Sequence, residues 1–222
     1  RAMVILVLGG TGTFGYAFTY YILRNHPDVS LRLFSNDEYA QYTMAQKFKD
    51  HADRLTFALG DIRDQRRLER AMYKVDALIH AAALKQVPIL ESNPFESIET
   101  NVNGTRNVIE AAIDSAVPTS ILISSDKSPH PENVYGASKM LCERLWLNAR
   151  AYTGGRGDMN FVFVRYGNVL GSRGSVVEVW RQQLAEGKPL TITDKSMTRF
   201  IITPMKAASL VYGVLLGAPW SG

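Results

Sequence analysis

Short apolar runs alternate with amphipathic stretches along the whole chain. The run at 4–10, VILVLGG, is β-branched and leucine-rich and closes on glycines, the pattern of a strand buried on both faces. Residues 14–25 then carry apolar side chains around most of a helical cylinder and stop at Asn25-His26-Pro27. Further strands are expected at 31–35, 55–61, 76–83, 120–125 and 161–169, separated by helices at 37–50, 64–75, 95–116, 134–153 and 176–186. Parallel neighbours need crossover connections, and helices usually provide them. The alternation therefore predicts an α/β fold, a doubly wound parallel sheet covered on both faces. There is no internal repeat, low-complexity segment or linker, so residues 1–222 read as one domain.

Composition narrows this picture. With 222 residues, 46% of them hydrophobic and 21% charged, the chain can bury a core that folds unaided. No apolar run approaches the roughly 20 residues of a membrane helix, and the opening RAMVILVLGG enters a strand with no basic region or cleavage site, so a soluble, cytoplasmic protein is expected. The net charge is only +4, and the basic residues are mixed with acids, as in DIRDQRRLER. That mixture argues against nucleic acid and suits a phosphorylated small molecule equally well. Cys142 is the only cysteine, which rules out an internal disulfide; no Cys/His spacing fits a metal, and the residue is expected to be buried packing.

The chemistry starts at GGTGTFG, which places Gly9, Gly12 and Gly15 directly between the first strand and the first helix. Glycines there permit a tight turn and let the main chain approach a pyrophosphate at the helix N-terminus. An ordinary strand-to-helix turn would account for one glycine, not four in seven residues, so a Rossmann-type dinucleotide site is expected, with Thr11, Thr13 and Phe14 in the same loop. The spacing differs from the commoner Gly-x-Gly-x-x-Gly and points to the short-chain dehydrogenase/reductase lineage. FSNDE ends the second strand and puts Ser35, Asn36 and Asp37 at the adenosine ribose. An acid there accepts from the ribose hydroxyls and favours NAD, whereas a 2′-phosphate wants Arg or Lys. Asp37 is either that reader or a solvated loop acid. Asp61 either holds the adenine amino group or merely ends its strand. Ile62, Ala81, Ala82, Lys85, Asn101 and Ser124 complete the expected cofactor contacts.

SSDKSPHPENVYGASK, residues 124–139, lies at the carboxyl end of the fifth strand, the edge where doubly wound folds bind ligands. Tyr135 and Lys139 are four apart and share one helical face, so an ammonium beside the phenol is expected to lower its pKa and make it a proton acceptor for a substrate hydroxyl. Asp126 and Lys127 exceed what alcohol oxidation needs. A dehydration also requires a base beside the new ketone and an acid for the departing hydroxyl. A strand-end ion pair is the plainer alternative.

LVLGGTGTFG, GDIRD, HAAALKQVP, SSDKSPHPENVYGASK, VRYGNVLGSRGSVV and ITDKSMTRF together resemble the inverting UDP-N-acetylglucosamine 4,6-dehydratase family of polysaccharide biosynthesis, which serves pseudaminic acid and capsule sugars; the match runs from residue 4 to about 212. The resemblance implies that Lys127 removes the proton at carbon 5 and that Asp126 protonates the carbon-6 hydroxyl as it leaves. It also implies that Tyr135 and Lys139 assist oxidation at carbon 4 and that bound NADP keeps its hydride until it is returned, with no net redox. It places Lys85 near cofactor and substrate, and Ser125 and Asn168 on the substrate. Arg173 and Arg199 would face phosphates or form structural salt bridges. It further implies a UDP-sugar as the substrate, no membrane or nucleic-acid partner, and a homo-oligomer.

Two departures stand out. Asn36 and Ala40 occupy positions where the family commonly has cations, which sets NAD against NADP unless Lys47 or Lys49 reaches back. The family's chains also continue past MTRF into a smaller carboxyl-terminal region, whereas this one ends at Gly222, so residues from about 165 onward are expected to supply only part of the substrate site. The rival expectations are a nucleotide-sugar epimerase and, in another class, an NAD(P)-binding module without turnover.

Overall fold

The computed structural model describes residues 2–155, 158–172, 174–192 and 194–217. Six parallel strands form the main sheet: β1 (Met3–Leu8), β2 (Val29–Ser35), β3 (Leu55–Leu59), β4 (Ala77–His80), β5 (Thr119–Ser125) and β6 (Asn160–Tyr166). Their spatial order is β3-β2-β1-β4-β5-β6. The order reverses between β1 and β4, and a crevice opens there beyond the carboxyl ends of the strands.

The apolar runs read as they do because both faces of this sheet are buried. In β1, Ile5 and Val7 face one layer while Leu6 and Leu8 face the other, and all four are fully buried. The first layer is closed by Phe14, Phe18 and Ile22 of α1 (Thr13–Asn25), Met44 of α2 (Glu38–Lys47), and Ala207, Ala208 and Val211 of the last helix. The second is closed by Leu68 and Met72 of α3 (Gln65–Met72) and by helices between β4 and β6 that contribute Val108, Ala112 and Trp146. Each such large side chain contributes about 1.5–3 kcal/mol on leaving water. Where α1 ends, Arg54 donates to the carbonyls of Leu23, His26 and Val29, at 2.6 Å for His26, and so satisfies groups that a helix terminus leaves open.

Three expectations change. The helix expected at 95–116 is three pieces, α5 (Pro94–Ser97), a π-helical turn over Ile98–Asn103, and α6 (Gly104–Asp114), and a short helix that was not expected, α4 (Val87–Ser92), precedes them. Pro88 and Pro94 account for the two short starts, since proline suits a first helical turn but not an interior. Second, the helix after β5 ends earlier: α7 spans Val134–Asn148 and a 3₁₀ turn follows at Ala149–Tyr152. Third, 161–169 is not one strand. The chain leaves the main sheet at Gly167, and β7 (Asn168–Val169) pairs in parallel with β8 (Ile201–Ile202) in a separate ribbon. Between them lies α8 (Val176–Ala185), and after them α9 (Pro204–Leu215), a helix missing from the sequence reading, packs on α1.

Candidate active site

One cleft of about 750 Å³ runs along the carboxyl ends of the strands and collects most of the expected residues. Gly9, Thr11, Gly12, Thr13 and Phe14 form its floor at β1; Ser35, Asn36, Asp37, Asp61 and Ile62 line the β2–β3 end; Ala81, Ala82 and Lys85 follow β4. Ser124, Ser125, Lys127, Tyr135, Lys139, Asn168 and Arg199 line the other wall.

The floor is shaped by backbone. Gly9 has φ +79°, a conformation that favours glycine, and a Cβ there would stand 2.8 Å from the Ala82 amide nitrogen. Gly15 is absent from the lining: it lets α1 rest against the Gly10 main chain, which leaves no space for a side chain. Helix α1 opens at Gly12 without a side-chain cap. Uncapped first-turn amides above a glycine cradle suit a pyrophosphate, and this is the observation on which a dinucleotide fits the cleft.

At the β2–β3 end the Asp37 carboxylate accepts from the Ala40 amide at 2.9 Å and caps α2. Asp61 receives Arg63 at 2.9 Å and Asn36 at 3.3 Å; the Arg63 hydrogen bonds hold its carboxyl below the ordinary carboxylate range. Lys47 does not reach back, because its ammonium lies over the Tyr16 ring, 4.8 Å from the centroid.

Adjacent residues of β5 point to opposite sides, which separates the two serines. The Ser125 hydroxyl lies beside the Tyr135 phenol, whose pKa it pulls down, and donates to Asp126 Oδ1 at 3.1 Å. Asp126 Oδ1 in turn accepts from Lys127 Nζ at 3.0 Å, and Lys127 Nζ also donates to Asn168 Oδ1 at 3.1 Å. Tyr135, Ser125, Asp126, Lys127 and Asn168 thus form one continuous chain of polar contacts. Asp126 does not itself line the cleft; it lies behind Lys127. The Ser124 hydroxyl turns inward to Glu143 at 2.5 Å.

Lys139 is committed to the main chain. Its ammonium is buried and donates to the Ile123 carbonyl at 2.6 Å, and burial pushes its pKa down. Removal of the Tyr135 phenol from water pushes its pKa up, against the opposing pull of Ser125. Asn101 is also placed differently from expectation: it is buried and outside the cleft, binds the Leu84 amide and carbonyl at 2.8 and 2.9 Å, and donates to Ser138 at 3.0 Å. It anchors the segment that carries Lys85. Cys142 is buried, as expected, against the Asn101 carbonyl. Arg199 donates to the Thr198 carbonyl at 2.7 Å, and Arg173 lies outside the described residues.

Two residues in this wall escaped the sequence reading. Tyr166, at the carboxyl end of β6, lines the cleft, and burial drives its pKa far up. Glu143 follows Lys139 by four and Tyr135 by eight residues, so helical spacing alone would have placed it on their face.

A six-stranded parallel sheet in this order, with a glycine loop under its switch point and Tyr135 and Lys139 beyond β5, defines the class: an extended short-chain dehydrogenase/reductase fold. Within it the chain belongs to the polysaccharide biosynthesis protein family, which it matches over residues 5–217. It is 44% identical over 200 residues to a UDP-N-acetylglucosamine 4,6-dehydratase (inverting) of Campylobacter jejuni, covering 90% of this chain and 59% of that protein. It is 41% identical over 210 residues to a UDP-glucose 4-epimerase of Rickettsia rickettsii, covering 93% and 61%. Among solved structures, DesIV, a dTDP-glucose 4,6-dehydratase from Streptomyces venezuelae with NAD and TYD bound, superposes with a TM-score of 0.85 at 26% identity, covering 97% of this chain and 73% of that one. The chain therefore spans about three fifths of the length of the curated relatives it matches. Among the described residues no helix is long and apolar enough to cross a membrane.

Proposed function

We propose that this chain carries the cofactor-binding and proton-transfer centre of a nucleotide-sugar 4,6-dehydratase acting on UDP-N-acetylglucosamine with inversion at carbon 5. Residues 1–222 form the cofactor unit, and those from about 165 onward contribute the first substrate-facing elements. The observation that carries this reading is the polar chain from Tyr135 through Ser125 and Asp126 to Lys127 and Asn168, since it links an oxidation pair to an acid–base pair in one wall. Oxidation alone would leave Asp126 and Lys127 without a task.

In this reading a nicotinamide bound beside Tyr135 supplies a site that takes the carbon-4 hydride and returns it at carbon 6. With the positive charge of an oxidised nicotinamide beside it offsetting burial, Tyr135 would take up the carbon-4 hydroxyl proton as a phenolate while Ser125 holds it oriented. The Lys127 ammonium first passes a proton to the Asp126 carboxylate 3.0 Å away; the resulting amine, which faces the cleft, takes the carbon-5 proton, and the Asp126 acid, turned toward the cleft when substrate binds, gives its proton to the departing carbon-6 hydroxyl. Water is lost and no net redox occurs. Asn168 and Asp126 fix the Lys127 ammonium until substrate arrives. Lys85 and Arg199, which line the same cleft, supply positive charge for a diphosphate.

The cofactor assigned here is NAD. Asn36, Asp37 and Asp61 line the adenosine end, and no cation lines that end among the described residues. A 2′-phosphate there would meet the Asp37 and Asp61 carboxylates, and the neighbouring cation, Arg63, is already committed to Asp61. Calorimetric titration should give NAD a dissociation constant at least about tenfold below that of NADP; equal or tighter NADP binding refutes the assignment. For the reaction, the purified chain is incubated with UDP-N-acetylglucosamine and NAD and followed by NMR. A 4-keto-6-deoxy sugar is expected. A carbon-4 epimer would instead support the epimerase reading that the 41% identical relative favours, and unchanged sugar despite cofactor binding would reduce the chain to a binding module.

A further inference from the structure

The one buried carboxylate beneath the acid–base pair has no task in the reaction just described. Glu143 is 3% exposed, lies outside the cleft, and shares a stripe of α7 with Tyr135 and Lys139. Its Oε1 receives the Ser124 hydroxyl at 2.5 Å, the Ser128 hydroxyl at 2.6 Å and Arg165 Nε at 2.9 Å, while Oε2 takes Arg165 Nη2 at 2.5 Å. Burial raises its pKa, but these hydrogen bonds outweigh burial and hold the group below the usual Glu value.

What these partners enclose gives the arrangement its meaning. Ser124 is the last residue but one of β5, Ser128 is fully buried, and between them stand Ser125, Asp126 and Lys127; Arg165 belongs to β6. Beyond Ser128 the chain is exposed at Pro129–Glu132, and Pro131 and the Lys127 carbonyl lie close against Gly136 of α7. The turn's own backbone contacts are long: Asp126 N to the Tyr166 carbonyl at 3.3 Å and Ser128 N to the Ser125 carbonyl at 3.2 Å. The Ser128 hydroxyl also reaches the Ser125 carbonyl, at 2.7 Å, but the short bonds that are charge-assisted, and so roughly twice as strong as neutral ones, are those to Glu143.

We propose that Glu143 is a positioning residue for Lys127: by gripping Ser124 and Ser128 from below, and being gripped by Arg165, it sets where the Asp126–Lys127 turn stands above the cleft. This rests on the reading of Lys127 as the proton acceptor. Loss of the carboxylate charge leaves Arg165 and both hydroxyls imperfectly paired and frees the turn, while the glycine loop on the opposite wall is untouched.

The test compares Glu143→Gln and Ser128→Ala with the unaltered chain by three readouts: amide hydrogen exchange over 125–130, the acylation rate of Lys127 by acetic anhydride resolved by peptide mass spectrometry, and steady-state turnover beside the NAD dissociation constant. Glu143→Gln is expected to speed exchange in the turn about tenfold and Lys127 acylation about fivefold. It is expected to lower kcat about 100-fold, with KM and the NAD dissociation constant within about threefold. Ser128→Ala should do the same more weakly, about tenfold in kcat, and it decides the matter if Glu143→Gln does not fold. A folded variant with unaltered exchange and acylation overturns the proposal, as does one whose turn loosens while kcat stays unchanged. If the unaltered chain makes no keto-sugar, the dehydratase reading fails by itself, and exchange and acylation alone uphold or overturn the clamp.

Discussion

The two walls of the cleft are held by different forces. On the glycine-loop side the shape belongs to the main chain: Gly9 and Gly15 let backbone approach backbone, and around them Leu6, Val7 and Leu8 are fully buried. On the β5–α7 side the shape depends on charges taken out of water. Lys139 rests on a carbonyl and Glu143 is clamped between hydroxyls and a guanidinium, while Lys127, still 35% exposed, bridges Asp126 and Asn168 at the rim. A wall of packed backbone resists changes of charge and yields to added volume. A wall of buried polar contacts behaves in the opposite way, because an unmatched buried group costs more than its bond contributed.

Charge removal on the second wall should produce the largest effect. Lys127→Ala is expected to reduce keto-sugar formation at least about 1,000-fold, with NAD affinity unchanged within about twofold, measured by NMR and calorimetry side by side. Near-normal dehydration would remove Lys127 from its role. Added volume on the first wall comes next. Gly9→Ala places a methyl 2.8 Å from the Ala82 amide nitrogen in a backbone region L-residues avoid, and should weaken NAD binding about 100-fold. Wild-type affinity in that variant would show that the loop is not the cradle.

The smallest effect is in stability and uses His80, which ends β4 beneath both walls. It is 1% exposed, its Nε2 lies 3.1 Å from the Thr105 hydroxyl, and burial, with Lys139 nearby, pushes its pKa down to about 3. Between about pH 6.5, the ordinary His value, and about pH 3, the unfolded chain takes up a proton that the folded chain refuses, so stability falls as pH falls. His80→Leu should remove that component. Urea unfolding at pH 7 and pH 5 should show the unaltered chain losing about 2 kcal/mol more than the variant. Parallel pH slopes would mean that His80 already shares its proton in the fold.

Much of this molecule was legible in the residue pattern because the sheet is buried on both faces. Runs such as VILVLGG and SILISS have no polar face to disguise them, and the glycine loop sits where a strand meets a helix. The strand break at Gly167 was not legible. FVFVRYGNV opens apolar and β-branched, and Gly167 alone does not show that Asn168 leaves β6 to accept a bond from Lys127 and pair with Ile201. Helix α9 was missed although Val211 and Tyr212 are buried against α1, because its partner lies nearly 200 residues earlier in the chain.

By itself the sequence determined the strand–helix alternation, the glycine cradle and the set of reactive side chains between Ser124 and Lys139. These follow from local periodicity and spacing, which short stretches carry within themselves. The tertiary structure alone decided how those side chains are partnered. It placed Lys139 on the Ile123 carbonyl, committed Asp37 to capping α2, turned Ser124 inward and Ser125 toward Tyr135, and brought Glu143 and Arg165 together under the turn. Hydrogen bonds and desolvation act over a few ångströms between residues distant in the chain, so their outcome appears only once the fold has chosen the neighbours.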